Sequence, residues 1–387
     1  MTIVTLVCSA LIGCGGSAQD AGVVTVLDVP QAPPVVATSP PAAQVIPDPA
    51  PVVVVPPPPV QVAPAPEPTP PVVVAPTPVP ATPSGPTLNL PGLVASVLGF
   101  TNLRVRQADQ DPPPVPSDDG VGAFRNPCGF SHMAFDDPIV FPGRTGASHL
   151  HTFFGNTSTN AFSTTVSLFA AGSSTCAGGV ANLSAYWVPA MVDTATNKAL
   201  APFENLIYYK TGYNQIPRSS LRSPPSGLRF IGGNSPANAA AVSEWDVHHS
   251  FLCNGQYETH SQSIPPCPVG GYIQSSLDYP NCWDGVNLDS PDHRSHMAYS
   301  GGGACPASHP VAIPSVQLNI KYAITAGQDV TKWKLASDNY TGPGGYSMHG
   351  DLWFNWQTDI ADTWMNNCVK SAMDCHGFLL GDGRATY

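Results

Sequence analysis

Basic residues are scarce in this chain of 387 residues, and none occurs before Arg104. The whole sequence has 15 Lys and Arg against 26 Asp and Glu. All 15 basic residues and 22 of the acidic ones follow position 100, which leaves that part with a net charge of −7. Binding to a phosphate backbone requires a basic face. The charge balance therefore argues against a nucleic-acid partner.

Several familiar catalytic signatures are also missing. The sequence has no G-x-S-x-G, H-E-x-x-H, P-loop or G-x-G-x-x-G pattern, which disfavours a serine hydrolase, a zincin and a nucleotide-dependent enzyme. The apolar run at residues 3–12 is too short to cross a bilayer as a helix. It has the length of a signal-peptide core instead.

The N-terminus predicts export. The letters "LIGC" at residues 11–14 resemble the lipobox of bacterial lipoproteins, in which the cysteine becomes the lipid-bearing N-terminus. Gly15 after the cysteine favours the outer membrane under that resemblance. The absence of a basic n-region counts against this resemblance, and the alternatives are an ordinary cleaved secretory signal and an uninformative apolar N-terminus. We expect a signal peptide with lipobox at residues 1–14 and an extracytoplasmic protein, either secreted or held to the outer membrane through an N-terminal lipid.

A proline-rich segment follows. Of the 45 prolines, 23 lie between Pro30 and Pro91, among Val, Ala and Thr. Proline fixes φ and lacks an N–H, so this stretch predicts polyproline II and not a helix or a central strand. The expected organisation is a disordered proline-rich spacer at 15–92, a connecting segment at 93–124 and a globular β domain at 125–387. A disordered tail without a spacing role is the alternative.

Eight cysteines remain beyond Cys8 and Cys14. An even number in an exported domain predicts four disulfides, and the absence of C-x-x-C spacing argues against a zinc site made of cysteines. Eight cysteines allow 105 pairings. Short spacing favours Cys253 with Cys267 and Cys368 with Cys375. The eight are Cys128, Cys176, Cys253, Cys267, Cys282, Cys305, Cys368 and Cys375.

Hydrophobic periodicity predicts an all-β fold, either a β-sandwich or jelly-roll-like, with long loops, disulfides and one C-terminal helix. Residues 315–324 alternate apolar and polar side chains, the pattern of a half-buried strand. A spacing of four between Ile360, Trp364 and Cys368 predicts a helix at 358–373, with Thr358 as a possible N-cap. Further strand candidates are 163–170, 183–192, 227–233, 247–253 and 345–356.

Histidines and acids concentrate in three motifs. In "GASHLHTFFGNTS", His149 and His151 are two residues apart, so on a strand both rings would project from one face. His349 and Asp351 have the same spacing in "YSMHGDLWFNW". The third motif, "CWDGVNLDSPDHRSHMAY", contains Asp284, Asp289, Asp292, His293, Arg294, His296 and Tyr299.

Several chemistries fit these residue types. Imidazoles with a nearby carboxylate can hold one divalent metal ion, for which His149, His151, His296 and His349 are the candidate ligands. Without a metal, a histidine base, a tyrosine acid and Arg294 can act on an anionic substrate. Asp289 and Asp292 can alternatively supply the acid and base of glycoside hydrolysis. The candidate catalytic set is His149, His151, Asp289, Asp292, His293, Arg294, His296, His349 and Asp351.

Structural interpretations compete with each of these. Histidines in loop-rich β-proteins are commonly hydrogen-bonded structural residues, and "SPDHRSH" is also typical of a turn in which Asp292 caps backbone amides. Aromatic side chains can stack on sugar rings or be buried in the core. The candidates for substrate binding are Trp283, Tyr299, Trp353 and Trp356.

Five segments resemble the family named domain of unknown function 1996, which occurs in secreted bacterial and fungal proteins. They are "DPIVFPGRTGASHLHTFFGNTS" (137–158), "SAYWVPAM" (184–191), "CWDGVNLDSPDHRSHMAY" (282–299), "CPASHPVAIP" (305–314) and "YSMHGDLWFNW" (346–356). The resemblance covers about residues 125–370. It implies extracellular polysaccharide as the setting, because fungal members often carry carbohydrate-binding WSC modules, and it implies no residue roles.

Together these observations predict an extracellular, lipid-anchored protein that acts on polysaccharide or cell-wall glycan. The enzyme expected is a glycoside hydrolase or polysaccharide lyase that works through a His- and Asp-rich cleft. The alternatives are a non-catalytic carbohydrate-binding or wall-associated module and a purely structural lipoprotein. The enzyme requires His149, His151, His296 and His349 to share one cleft, whereas the binding module requires an exposed aromatic stripe.

Overall fold

The computed structural model describes residues 99–387 apart from 110, 171, 212–215 and 236–247. The expected signal peptide with its lipobox and the proline-rich spacer lie outside the described residues. No helix in the described part is both long and apolar enough to cross a membrane.

The described residues are mostly β-structure, as the sequence predicts. Two α-helices are α1 (Thr165–Ala170) and α2 (Thr358–Trp364), and 3-10 turns occupy Arg218–Ser220, Tyr257–Thr259 and Val330–Lys332. The strands, in chain order, are β1 (Val105–Gln107), β2 (Val115–Pro116), β3 (Ala123–Pro127), β4 (Phe130–Ala134), β5 (His151–Gly155), β6 (Ala185–Pro189), β7 (Met191–Asp193), β8 (Lys198–Leu200), β9 (Glu204–Lys210), β10 (Arg229–Gly233), β11 (His249–Cys253), β12 (Tyr272–Asp278), β13 (Cys282–Trp283), β14 (Met297–Ala298), β15 (Val311–Ala312), β16 (Ser315–Ala323), β17 (Trp333–Leu335), β18 (His349–Trp353), β19 (Met373–Cys375) and β20 (Arg384–Thr386).

Two large sheets dominate the architecture. One has seven strands in the order β11-β12-β16-β9-β3-β19-β2, and it is antiparallel except for the parallel pair β3 and β19. The other has five antiparallel strands in the order β10-β18-β6-β5-β4. Smaller sheets are β1-β20, β14-β13-β15 and β17-β7-β8. Strands β1 and β2 fall within the expected connecting segment, and both pair with C-terminal strands.

The two large sheets pack face to face around one apolar core, which makes the fold a β-sandwich. Strand β16 follows its predicted alternation, with Val316, Leu318 and Ile320 fully buried in that core. Across the sandwich, the hydroxyl groups of Tyr186 on β6 and Tyr209 on β9 are hydrogen-bonded at 2.6 Å. The alternation rule for strands then fixes which residues of β5, β6, β10 and β18 point away from the core.

The outward face of the five-stranded sheet carries a second apolar cluster. It consists of Ile139, Phe153, Leu168, Ala185, Trp187, Ile231 and Trp353, all buried. Register places Ile231 opposite Asp351, Asp351 opposite Trp187, and Trp187 opposite Phe153. Because Ile139 and Leu168 lie outside the sheet, the segments that contain them cover this face.

The expected strand at 163–170 is wrong, because this segment forms helix α1. Thr164 and Ser167 cap its N-terminus reciprocally: the Ser167 N–H donates to Thr164 Oγ1 at 3.1 Å, and the Thr164 N–H donates to Ser167 Oγ at 2.8 Å. This reciprocal pattern is that of a capping box. Local capping therefore outweighs the strand propensity of the β-branched and aromatic residues.

The C-terminal helix is present but shorter than predicted. Helix α2 begins at Thr358, and Gln357, not Thr358, is its N-cap residue. A π-helical turn follows at Met365–Val369, and Met373, the last predicted helical residue, begins β19. The pairing of β19 with β3 and the disulfide from Cys368 to Cys375 end the helix early.

All eight cysteines of the β domain form disulfides. Both predicted local pairs, Cys253–Cys267 and Cys368–Cys375, are confirmed. The other two pairs are Cys128–Cys176 and Cys282–Cys305. The last of these closes a loop that contains most of the third histidine-rich motif.

Candidate functional site

A cavity of about 440 Å³ lies on the outward face of the five-stranded sheet. Residues of all three histidine-rich motifs line it, although the motifs are nearly two hundred residues apart in the chain. The lining residues are Asp137, Val140, Phe141, Ala147, Ser148, His149, Ile231, Ser235, Asp292, His293, Arg294, His349 and Asp351.

Strand β18 supplies two of these side chains. His349 and Asp351 are separated by one residue, so both face the cavity. The residue between them, Gly350, faces the sandwich core. A Cβ atom on Gly350 would lie 2.6 Å from Leu277 Cδ2 and 2.9 Å from Val188 Cγ1. Glycine therefore allows the close approach of the second sheet at the point where the cavity residues are held.

Three imidazole rings meet beside β18. His149 lies in the loop before β5 and not on a strand, while His151 is the first residue of β5. The ring centroids are 4.3 Å apart for His149 and His151, 4.9 Å for His149 and His349, and 5.9 Å for His151 and His349. One nitrogen from each ring lies within 4.8 Å of the other two.

Hydrogen bonds set the tautomers of two rings. His151 Nδ1 donates to the carbonyl oxygen of Asp136 at 3.0 Å, and His349 Nδ1 donates to that of Ser347 at 2.8 Å. Each ring then keeps a lone pair on Nε2. Nε2 of His151 and Nε2 of His149 are buried without a hydrogen-bond partner among the described residues.

Burial keeps these rings neutral. It lowers the pKa of His149 to about 4 and the pKa of His349 to about 3, and repulsion between the protonated forms of these two rings further lowers the pKa of His349. The pKa of fully buried His151 also falls well below its usual value, again chiefly by burial. A neutral imidazole is the form that binds a metal ion.

Two buried carboxyl groups adjoin the rings. Asp351 has neither oxygen hydrogen-bonded within the described part of the chain, and burial and then the charge of Asp137 raise its pKa well above the usual range. Asp137 Oδ1 accepts the N–H groups of Ile139 at 3.0 Å and Val140 at 2.9 Å, and burial raises its pKa as well. Asp137, His151 and Asp351 each offer one atom within 4.8 Å of the others.

Sequence reasoning missed Asp137. It precedes Pro138 in a quoted motif, but an Asp-Pro pair is typical of a turn and has no spacing relation to the histidines. Only the fold brings it to Asp351. Its side chain also shapes the turn that follows it, through the two amides that it accepts.

The rim of the cavity comes from the turn at 289–296. His293 has a φ of 59° there, and its Nδ1 lies 3.0 Å from Asp289 Oδ1. Asp289 is also paired with Arg229. Arg294, an exposed residue on this rim, donates from Nη1 to the carbonyl oxygen of Gly233 at 3.1 Å. Positive φ at a residue other than glycine is uncommon and concentrates at functional sites.

Asp292 lines the cavity as a turn cap. Its Oδ1 accepts the N–H of Ser295 at 2.9 Å and the hydroxyl groups of Ser290 and Ser295 at 2.8 Å. These hydrogen bonds lower the pKa of Asp292, and the bond from the Ser295 N–H has the largest effect. Asp292 therefore caps this turn, and a carboxylate so engaged is poorly suited to donate a proton.

His296 stands apart from the other three imidazoles. Its Nδ1 shares a hydrogen bond of 2.9 Å with Ser290 Oγ, and its Nε2 donates to the carbonyl oxygen of Arg229 at 2.8 Å. With both nitrogens engaged, the ring has none left for a metal ion. The three histidines whose ring nitrogens lie close together are His149, His151 and His349, and His296 is outside that group.

The four candidate aromatic residues do not form an exposed platform. Trp353 and Trp356 are buried, with 1% and 0% of their surface exposed, so neither can stack on a sugar. Half-buried Trp283 donates from Nε1 to the Asn287 carbonyl oxygen at 2.6 Å. The Tyr299 hydroxyl donates to the Asp278 carbonyl oxygen at 2.9 Å. None of the four lines the cavity.

Comparison with known proteins identifies a family and nothing closer. Searches of the curated proteins and of the solved structures found no match. One family model matches residues 137–356, a range that includes every residue lining the cavity. The chain belongs to the family described as a domain of unknown function, DUF1996.

Proposed function

We propose that the protein is an extracytoplasmic enzyme that acts on polysaccharide through this cavity. The observation that carries the proposal is the pairing of an oriented imidazole, His293, with a guanidinium, Arg294, on one cavity rim. These groups suit β-elimination at a uronate residue, the reaction of a polysaccharide lyase, better than they suit hydrolysis.

His293 is the base in this proposal. Asp289 accepts the Nδ1–H, which leaves the lone pair on Nε2 for the substrate. The paired Arg229 holds Asp289 in place from its other side. A histidine oriented by a carboxylate in this manner is a recurrent arrangement for proton abstraction.

Arg294 supplies the positive charge that elimination requires. Its guanidinium pairs with the carboxylate of a bound uronate and stabilises the negative charge that develops when His293 removes the proton from C5. The C4–O bond then breaks, its electrons leave with the oxygen, and that oxygen takes up a proton. The products are a new chain end and a sugar with a C4–C5 double bond.

Glycoside hydrolysis is the weaker candidate because it needs an acid and a base among the carboxyl groups. Asp289 is engaged by Arg229 and His293, and Asp292 is saturated by the turn that it caps. A binding module is weaker still, since Trp353 and Trp356 are core residues. Four disulfides support the expected export, whether the chain is secreted or anchored by lipid at Cys14.

The test is a comparison of polyuronates with neutral polysaccharides, using the full chain. Elimination gives both new reducing ends and the ultraviolet absorbance of the unsaturated uronate, whereas hydrolysis gives reducing ends alone. We expect both signals on a polyuronate, and we expect His293→Ala to abolish them. His260→Ala is the matched control, because this exposed imidazole is outside the cavity lining.

Each other outcome counts against a stated part of the proposal. Reducing ends without the absorbance would replace elimination by hydrolysis. Retention on a polysaccharide column without any product would favour the binding module. Activity that survives in His293→Ala at the level of His260→Ala would remove His293 from its role.

A further inference from the structure

We propose that His149, His151 and His349 bind one divalent transition-metal ion, with zinc as the best fit, beside the buried carboxyl group of Asp351. This site deepens the proposed function, because it adjoins the same cavity. Metal binding is nevertheless measured without a substrate, so the two proposals can fail separately.

The first support for the metal site is the distance between the ring nitrogens of the three histidines. Metal–nitrogen bonds of about 2.1 Å at tetrahedral angles place two ligand nitrogens about 3.4 Å apart. The three imidazoles already offer one nitrogen each within 4.8 Å of one another. Small rotations of the rings close the remaining difference. His149 lies in the loop before β5 and not in a strand.

The hydrogen bonds of His151 and His349 also leave their Nε2 atoms available for a metal ion. His151 is fully buried, and its Nε2 lacks a hydrogen-bond partner among the described residues, while Nδ1 is fixed by the Asp136 carbonyl oxygen. Metal-binding histidines commonly show this arrangement, in which one nitrogen is held by a carbonyl or carboxylate oxygen and the other faces the ion. His349 repeats it, with Nδ1 held by the Ser347 carbonyl oxygen.

Asp351 provides the third step. Its side chain is 1% exposed, and neither oxygen has a partner within the described part of the chain. A buried polar group without a hydrogen bond costs free energy, and a buried carboxylate costs more. A divalent cation held by the neighbouring imidazoles offsets this cost, since it places positive charge next to the carboxyl group.

The ligand chemistry selects the class of metal. Imidazole nitrogens suit zinc and its transition-metal neighbours, whereas calcium and magnesium prefer sites built of oxygen. Three histidines leave a fourth position for a water or a substrate oxygen, the usual composition of a catalytic and not a purely structural zinc site. His149 and His349 line the cavity, so the proposed ion would lie next to the space in which a substrate would bind.

The experiment is a titration of the full chain, stripped with a chelator, with zinc sulfate alone, followed by calorimetry and by elemental analysis after dialysis. We expect one zinc ion per chain. His149→Ala and His349→Ala should each weaken the affinity by more than about 100-fold, since loss of even a supporting residue commonly costs 10- to 100-fold. His260→Ala should bind as the original chain does.

A second readout guards against misfolding. The thermal midpoint of each variant is measured without metal, and Asp351→Asn, which preserves side-chain size, should weaken zinc binding without loss of the fold. Replacement of zinc by cobalt should give the visible absorption of a four-coordinate ion. This absorption should be absent in His149→Ala.

Three results would overturn the metal site. The first is the absence of saturable zinc binding by the original chain. The second is the same zinc affinity in His149→Ala as in His260→Ala. The third is zinc affinity equal to that of the original chain in both Asp351→Asn and His349→Ala. A metal-loaded chain that is inactive on every polysaccharide would leave the site standing and reject the proposed function. Activity in a chain that binds no zinc would do the reverse.

Discussion

A carboxyl oxygen of Asp351 and a ring nitrogen of His151 lie within 4.8 Å of each other. Both Asp351 oxygens and the Nε2 atom of His151 lack a hydrogen-bond partner among the described residues. Both side chains are buried on the outward face of the sheet, next to well-packed aromatic rings. An arrangement that leaves polar atoms unsatisfied lowers stability, and such violations concentrate at functional sites. This pair therefore supports the proposed metal site beside β18.

Zinc should stabilise the folded chain. A ligand that binds only the native state at 100 times its dissociation constant adds about 2.7 kcal/mol to the free energy of unfolding. We expect a gain of about this size in urea unfolding of the original chain with zinc, and none in His149→Ala. Equal gains in both would show that the stabilising ion binds elsewhere.

Asp289→Asn should slow the proposed elimination, because an amide holds the His293 ring and its tautomer less well than a carboxylate does. We expect kcat to fall by about 10- to 100-fold, with little change in KM, since Arg294 is retained. Asp382→Asn is the matched control, because Asp382 also pairs with an arginine, Arg384, which does not line the cavity, whereas Asp289 is bonded to the lining residue His293. A rise in KM alone would indicate a role in binding.

The sequence predicts the sheet-rich fold, and it predicts the proximity of some candidate site residues but not of others. Spacing of two fixed the common face of His349 and Asp351, because strand alternation is a local property. The contact between His149 and His349 depends on how distant loops pack in the fold. Hydrophobic periodicity carries no information on such long-range contacts. Asp137 was missed for the same reason. The partners of His296, Ser290 Oγ and the Arg229 carbonyl oxygen, are likewise set by the folded turn and cannot be read from spacing.

Gly350→Ala should damage the fold and the site together. The added Cβ would meet Leu277 Cδ2 at 2.6 Å and Val188 Cγ1 at 2.9 Å, so the two sheets or β18 must shift. Overpacking of this kind costs about 1–3 kcal/mol. We expect that loss in urea unfolding, together with weaker zinc binding, because His349 and Asp351 flank the glycine. Gly301→Ala, which has open space around it, should change neither measurement.

Asp278→Asn should stabilise the protein above neutral pH. Burial raises the pKa of Asp278 to about 6, against the hydrogen bond from Gln317, so the folded state binds the proton more tightly than the unfolded state does. Stability is then lost as pH rises from about 4 to about 6, and the loss persists above that range. A shift of one pKa unit corresponds to about 1.4 kcal/mol. Because the Asp278 side chain keeps partial contact with water, we expect Asp278→Asn to raise the free energy of unfolding by about 1–2 kcal/mol at pH 8.

The gain from Asp278→Asn should disappear as the pH falls towards 4, where the native carboxyl group is protonated. Asp329 gives a control of opposite sign, because hydrogen bonds from Thr331 lower its pKa. Asp329→Asn should therefore lose stability at neutral pH and match the original chain in acid. A constant difference for Asp278→Asn across this pH range would mean that its effect comes from packing and not from charge.

Removal of the Cys282–Cys305 disulfide should affect activity more than removal of Cys368–Cys375. The first bridge closes a loop with a sequence separation of 23 residues and the second a loop of 7. Loop-closure entropy predicts losses of about 3 and about 2 kcal/mol respectively when each pair is changed to serine. Because these two losses are similar, the two variants should unfold to similar degrees.

Asp289, His293 and Arg294 lie inside the first loop, so only the opening of that loop frees the rim of the cavity. Both variants are measured at a temperature at which they are folded. We expect polyuronate cleavage to fall at least tenfold in the variant that lacks Cys282 and Cys305, and only in that variant. Zinc binding by the three histidines should be retained in both variants. Equal activity in the two variants would show that the turn at 289–296 holds its shape without the bridge.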